Sequence, residues 1–234
     1  MGGFPQARLV ALAKCGTHAM VDAAVGPYTT SENALTTGLL DRLGAGMLCL
    51  ADRGFYSFEA WERARKRGAD LCWRVKDNLK LEPVDDLPDG SYLAEVFHST
   101  TDRKRRHPVT VRVVEYTIHD GREPAGPFRL ITTILDPRDA PAAELAGAYA
   151  QRWEIESAFD ELKTHQRGPR AVLRSKSPEL VLQEIWGHLC RHYAIRTLML
   201  DAALHAGHDP DRISFVAALR ISRRAIAQQG AFSP

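Results

Sequence analysis

The segment YAQRWEIESAFDELK, residues 149–163, combines side chains that can bind metal ions and phosphates. It contains no glycine or proline, and its apolar residues recur at helical spacing, so the pattern predicts a helix. At about 100° per residue, four side chains fall within an arc of roughly 60°: Tyr149, Arg152, Glu156 and Lys163. One carboxylate flanked by two cations and a phenol could ligate a hard cation and hold phosphates. The simpler alternative is a solvated face with exposed ion pairs, each worth about 0.2–0.5 kcal/mol.

A second carboxylate, Asp52, directly follows the apolar run MLCLA of residues 47–51, which has the length of a strand. Arg53 and Gly54 come next and allow a sharp turn. In open α/β sheets, functional groups gather where strands end. Carboxylates such as Asp52 and Glu156 could bind Mg²⁺ there. Two such ions about 3.5–4 Å apart can activate a water molecule to attack a phosphodiester. The alternative is that Asp52 only caps a turn.

Strands and helices alternate in the first part of the chain and must position these residues. After residue 76 the predicted elements are strands, and after residue 140 they are helices. The predicted strands lie at 8–14, 18–25, 47–51, 70–75, 91–97, 109–118 and 129–135. The predicted helices lie at 29–43, 57–67, 141–166, 178–206 and 213–228. The order predicts an α/β fold with an antiparallel β insertion and a helical C-terminal part.

Composition excludes several classes of protein. The 234 residues have 44% hydrophobic content and a net charge of only +2, which suits a globular core rather than a polycation. An anionic partner must therefore be met by local patches. The four cysteines form no CxxC pair, so neither a zinc knuckle nor a disulfide framework is indicated. No apolar run is long enough to span a membrane, and the first residues lack the apolar region of a signal peptide, so we expect a cytoplasmic protein.

The four spaced residues match the signature Y-x2-R-x3-E-x6-K, and this chain thereby resembles the IS-four family of bacterial insertion-sequence transposases, relatives of the Tn-five transposase. Asp52, in the context LADRGFYS, resembles the second catalytic aspartate of that family. The resemblance implies a ribonuclease H-like core whose two aspartates and one glutamate hold Mg²⁺ (or Mn²⁺). Asp52 and Glu156 would then be catalytic metal ligands, while Tyr149, Arg152 and Lys163 would contact the DNA end.

The resemblance also implies a division of the chain and a set of partners. We expect the first part of the catalytic core at 1–75, a β-rich insertion at 76–136, the signature helix and the end of the core at 137–177, and C-terminal helices at 178–234. The implied activity is hydrolytic nicking of transposon ends, followed by strand transfer from the freed 3′-hydroxyl. The implied partners are double-stranded DNA, both terminal repeats and target, and a second copy in a homodimer on DNA. The implied location is the bacterial nucleoid.

Two groups of basic residues extend the predicted DNA surface. The run DRKRRH at 102–107 lies between extended segments and supplies four cations: Arg103, Lys104, Arg105 and Arg106. After the signature helix, Arg167 begins a second track that continues with Arg170, Arg174 and Lys176. The alternative for the first group is a solvated loop tip. For Arg220, Arg223 and Arg224 we expect no more than an exposed helix face.

One departure from the family concerns the first catalytic aspartate, which should end a strand that precedes the hairpin. Only MGGFPQA stands there, and it contains no acid. We therefore expect an incomplete core without its first strand, to which an upstream-encoded N-terminal fragment could supply the aspartate. Asp22 is the internal candidate for that role. By itself the chain is expected to bind DNA weakly without cutting it.

Three hypotheses follow for the function. The first is the catalytic region of a DDE transposase. The second is a non-catalytic DNA-binding remnant that inhibits an intact transposase. The third is a ribonuclease H-like nuclease, which would not need the DNA-end residues of the signature.

Overall fold

The computed structural model describes residues 6–99, 108–117, 128–168 and 172–228. The chain forms two compact units. Unit 1 consists of Met1–Val10 and Gly26–Arg152, and unit 2 of Ala11–Val25 and Trp153–Pro234. The predicted basic residues Arg103, Lys104, Arg105, Arg106 and Arg170 lie outside the described residues.

Up to residue 150 the order of elements agrees with the sequence pattern except for β5, which the pattern does not predict. The strands are β1 Ala7–Ala13, β2 Met20–Pro27, β3 Leu48–Ala51, β4 Asp70–Arg74, β5 Pro83–Asp86, β6 Tyr92–Val96, β7 Val109–Tyr116 and β8 Phe128–Thr132. The α-helices are α1 Glu32–Leu40, α2 Phe58–Arg65, α3 Ala142–Ala150, α4 Glu154–Asp160, α5 Pro178–Ala206 and α6 Phe215–Gln228. Short 3₁₀ segments cover Gln151–Trp153 and Pro210–Arg212, and a π-helical segment covers Glu161–Gln166.

A six-stranded mixed sheet in the order β3-β4-β8-β7-β6-β5 organises unit 1, so the predicted α/β fold is confirmed. β3 and β4 are parallel, and all other neighbours are antiparallel. The antiparallel strands predicted for 76–136 are not a separate layer, because β8 pairs with β4 directly, with Trp73 opposite Ile131. β1 and β2 form the predicted hairpin as a two-stranded sheet of their own.

The core of unit 1 places α2 and α3 against this sheet. Trp61 of α2 meets Trp73 of β4 edge to face at 5.5 Å, and both rings are fully buried. Leu145 and Tyr149 of α3 pack into a cluster with Cys72 and other sheet residues. α3, which carries the first signature residue, is therefore fixed by apolar packing on the sheet.

A buried arginine also anchors the start of α3. Arg112 of β7 is fully buried, and its guanidinium donates to the backbone oxygen of Ala140 at 2.7 Å and to Ser91 Oγ at 2.7 Å. The same guanidinium pairs with Asp89 Oδ2, which also accepts a hydrogen bond from the backbone N–H of Ala142 at 2.8 Å. Because a buried charge needs partners, this network ties the 87–91 turn to the first turn of α3.

Unit 2 is built around the long helix α5. Ser177 caps its start and Gly207, in the left-handed conformation, ends it. Ile195 and Met199 pack against Phe215 and Leu219 of α6. None of the helices in the described part of the chain is both long and apolar enough to cross a membrane.

Candidate functional site

In unit 1, Asp52 and Tyr149 lie together. Asp52 directly follows β3, and its Oδ1 accepts a hydrogen bond from the backbone N–H of Arg53 at 2.8 Å. The Tyr149 hydroxyl donates to the same Oδ1 at 3.4 Å. Burial, and then the negative charge of Asp52, raise the pKa of Tyr149, so the phenol stays protonated and acts as a donor. Tyr149 can thus hold the Asp52 carboxylate in one orientation.

Arg152 lies next to this pair. Arg152 belongs to the 3₁₀ segment that follows α3. Its guanidinium carbon is 5.6 Å from the centre of the Tyr149 ring. The side chain is half-buried. A guanidinium on an aromatic face keeps its charge and its planar set of donors, which suits contact with a phosphate.

In unit 2, Glu156 and Lys163 are both exposed. Within that unit, neither side chain forms a hydrogen bond or ion pair with a described residue. Lys163 Nζ lies 4.6 Å from the centre of the Phe159 ring. Glu156 lines an open groove of about 580 Å³ together with Asp160 and residues 214–216 at the start of α6. The sequence left open that these side chains form exposed ion pairs. Among the described residues of unit 2, neither Glu156 nor Lys163 forms such a pair.

The segment predicted as a helix over 141–166 is helical throughout 142–166, but its winding is not uniform. The chain changes from α-helix to 3₁₀-helix at Gln151–Trp153 and to π-helix at Glu161–Gln166. The 3₁₀ segment winds more tightly than an α-helix, and the π segment winds more loosely. The arc of roughly 60° was calculated for uniform α-helical winding, so it does not apply to the four signature side chains. The boundary between the units also falls directly after Arg152.

A buried carboxylate lies at the start of the π segment. Glu161 Oε2 accepts hydrogen bonds from Arg196 Nε at 2.9 Å and from His192 Nε2 at 3.0 Å, and both partners come from α5. Arg196 Nη2 binds Glu161 Oε1, and His18 of the hairpin turn also faces this oxygen. Burial by itself would raise the pKa of Glu161, but these hydrogen bonds and the charge of Arg196 lower it to about 2. Partners outside its own helix therefore hold Glu161, the first residue of the π-helical segment.

The hairpin turn is held in place by the same part of unit 2. His18 has a positive φ of 51°, which is uncommon for a residue other than glycine. Its Nε2 lies 3.8 Å from Glu154 and 3.7 Å from Asp211. The backbone N–H of Gly16 also donates to Glu154. Asp22, the internal candidate for a third metal ligand, lies on β2, and its Oδ1 accepts from the N–H of Ala23 at 2.8 Å.

The basic residues after the signature differ in their exposure. Arg167 directly follows the π segment and is half-buried. Arg220, Arg223 and Arg224 are exposed, as predicted, but Arg223 reaches back and donates to the backbone oxygen of Gln166 at 3.2 Å. α6 therefore brings a cation to the end of the signature segment.

Asp52 in unit 1 and Glu156 in unit 2 each carry a side chain of the type that binds hard divalent cations. Asp52 and Glu156 offer carboxylate oxygens, which Mg²⁺ and Mn²⁺ prefer. One oxygen of Asp52 accepts a hydrogen bond from Tyr149, whereas Glu156 has no hydrogen-bond partner among the described residues of unit 2.

Comparison with known proteins agrees with this chemistry. The family profile described as Transposase DDE domain matches residues 3–192. The chain belongs to the transposase DDE domain family. It is 32% identical over 222 residues to a protein of Escherichia coli (strain K12), the transposase InsG for insertion sequence element IS4. That match covers 91% of this chain and 48% of the relative, so the chain spans about half the length of this relative.

A second relative supports the same grouping. The DDE domain is 26% identical over 135 residues to a putative transposase for insertion sequence element IS4SA of Synechocystis, which covers 56% of this chain and 35% of that protein. The resemblance to insertion-sequence transposases is confirmed, and the mixed α/β architecture is consistent with a ribonuclease H-like transposase fold.

Two features of this DDE domain escaped the sequence analysis. The contact of Tyr149 with Asp52 joins residues 97 positions apart, which no local pattern can reveal. The partners of Glu161 come from 31 and 35 positions further along the chain.

Proposed function

We propose that this chain is the catalytic region of a DNA transposase that nicks the ends of an insertion sequence and joins them to target DNA through the freed 3′-hydroxyl. The observation that carries the proposal is the Asp52 carboxylate at the end of β3, oriented by the protonated phenol of a signature residue, Tyr149. Its position at a strand end is where α/β sheets hold their functional groups.

Asp52 and Glu156 are the proposed ligands of Mg²⁺ or Mn²⁺. When bound, the ion activates water and stabilises the leaving oxygen of the phosphodiester. The protein's own contribution is orientation: Tyr149 fixes Asp52, and α4 presents Glu156 on an exposed face. A fixed carboxylate matters because a displacement of about 1 Å can cost roughly a hundredfold in rate.

The proposed DNA contacts are cationic. Arg152 and Lys163 would bind phosphates near the transposon end, the first as a fork of donors and the second as a point charge. Arg167 and the cations at 103–106 would extend the contact along the backbone. Terminal-repeat DNA, target DNA and a second copy of the chain on DNA are the proposed partners, in the bacterial nucleoid.

The test compares binding of a duplex carrying the insertion-sequence end with binding of a scrambled duplex, with and without Mn²⁺. We expect end-specific binding that Mn²⁺ strengthens. This strengthening should disappear in Asp52→Asn and Glu156→Gln, and any strand nicking should disappear with it. Asp201→Asn, which removes the same charge from an exposed position on α5, is the matched control and should behave like the parent protein.

Two results would replace the proposal. Binding to DNA that neither Mn²⁺ nor the two substitutions affect would identify a DNA-binding protein without catalysis, such as an inhibitor of an intact transposase. Metal-dependent hydrolysis of an RNA–DNA hybrid without preference for the insertion-sequence end would identify a ribonuclease H-like nuclease.

A further inference from the structure

Three segments of unit 2 bring cations together outside the signature. α5, α6 and the π-helical segment pack against one another. Arg223 of α6 donates to the Gln166 backbone oxygen at 3.2 Å, and the Gln166 side chain donates to the backbone oxygen of His188 at 2.7 Å. Arg191 lies one helical turn beyond His188 on α5, and Arg167 directly follows Gln166. These hydrogen bonds fix α6 and α5 relative to the end of the π segment.

The charge of Arg191 in this cluster is poorly compensated. Arg191 is half-buried and forms no hydrogen bond or ion pair with any residue that the structure describes. Burial, and then the positive charge of Arg223, lower the pKa of Arg191. Burial, and then the charge of Arg167, lower the pKa of His188, and Arg191 acts in the same direction. Neighbouring positive charges in a partly buried position destabilise one another. An anion that binds there relieves this repulsion, so the cluster favours anion binding.

A carboxylate beside His188, that of Glu184, already has other hydrogen-bond partners. Glu184 lies 4.0 Å from His188 Nε2. Its oxygens accept hydrogen bonds from the backbone N–H groups of Arg174, at 3.0 and 3.2 Å, and Ser175, at 3.1 Å. These bonds, the Ser175 bond foremost, keep the pKa of Glu184 low and hold its charge near the chain that leads into α5. Glu184 therefore compensates His188 rather than Arg191.

We propose that Arg191 and Arg223, flanked by Arg167, form a phosphate-binding site that takes a backbone phosphate of the DNA beyond the signature residues. This assignment to DNA rests on the proposed function, whereas binding of a phosphate group as such does not. Guanidinium groups suit the role because each presents several donors in a plane that matches phosphate oxygens. The site would position DNA without reading its sequence.

The test uses charge-matched variants. Arg191→Gln and Arg223→Gln remove one charge each at the cluster, and Arg224→Gln removes one charge from the neighbouring exposed position on the same helix as Arg223. Duplex affinity is measured against salt concentration for each variant. We expect Arg191→Gln and Arg223→Gln to weaken binding equally for all sequences and each to reduce the slope of log affinity against log salt by about 1. Arg224→Gln should leave the slope unchanged.

A second arm uses inorganic phosphate alone and follows His188 by NMR. Bound phosphate should raise the pKa of His188 in the parent protein and in Arg224→Gln, and the effect should be lost in Arg191→Gln. A chain that fails to bind DNA but shows this response would contradict the proposed function and support the phosphate site. A response to phosphate with an unchanged salt slope in the variants would overturn the assignment to DNA. No response of His188, together with salt slopes equal to that of Arg224→Gln, would overturn the site itself.

Discussion

The hydroxyl of Tyr149 donates a hydrogen bond to Asp52 Oδ1 at 3.4 Å, between an α-helix and the end of a strand. Tyr149 is only 3% exposed, and its ring packs in the core of the sheet unit. The position of the hydroxyl is therefore set by packing and not by the carboxylate it serves. A signature residue expected to contact DNA thus also orients a proposed metal ligand.

Replacing Tyr149 by Phe should separate the packing of the ring from the hydrogen bond that its hydroxyl donates to Asp52. The ring and its packing remain, so the free energy of unfolding should fall by only about 0.5–1.5 kcal/mol, the contribution of one hydrogen bond. The affinity for Mn²⁺, measured by calorimetry, should fall about 10–100-fold, as for other residues that orient metal ligands. Tyr116→Phe removes a hydroxyl from a ring stacked on Phe128 and serves as the control. Equal effects of the two substitutions on Mn²⁺ affinity would show that Tyr149 does not orient Asp52.

Replacing Arg196 by Met should destabilise unit 2 strongly. The substitution leaves the buried Glu161 carboxylate without its bidentate partner, which typically costs about 3–5 kcal/mol. Arg65→Met breaks an exposed pair with Glu62 and should cost no more than about 1 kcal/mol. Urea unfolding of both variants tests the difference, and similar losses would mean that the buried pair adds little.

Stability should also depend on pH through Glu161. Its pKa is lowered from 4.5 to about 2 in the folded protein, so the folded state favours the ionised form. The stabilisation is fully present above about pH 4.5 and is lost as pH falls toward 2, with a total of about 3 kcal/mol. Asp136 titrates in the same range, but its partner Arg138 is exposed and solvent screens the pair, so Asp136→Asn should leave the pH dependence of urea unfolding nearly unchanged. A flat profile between pH 5 and pH 2.5 would contradict the role of Glu161.

Lys163→Ala should weaken DNA binding without changing sequence preference. Among the described residues of unit 2, Lys163 has no ion-pair partner, so its charge is available to a phosphate, and its loss should reduce the salt slope by about 1. Lys66→Ala, at an exposed position 4.0 Å from Glu62, is the control. If both variants keep the slope of the parent protein, Lys163 belongs to a solvated face.

The sequence predicts those parts of the fold that local patterns specify. The bounds of α5 follow from Ser177 and Gly207, which supply the cap and the left-handed residue that helix ends require. The π-helical winding at Glu161–Gln166 could not be predicted from the sequence, because Glu161 looks like an ordinary surface residue of a polar helix face. Its burial depends on Arg196 and His192, and periodicity carries no information about partners so distant in sequence.

The division of the chain also affects its synthesis. Unit 2 combines residues 11–25 with residues that follow Trp153, so its hairpin turn leaves the ribosome long before its partners do. His18 and Glu161 are 143 positions apart. At about 5–20 residues per second, the turn waits roughly 7–30 s for that contact. During this interval its polar groups are satisfied by water alone, and the hairpin offers unpaired strand edges to other nascent chains.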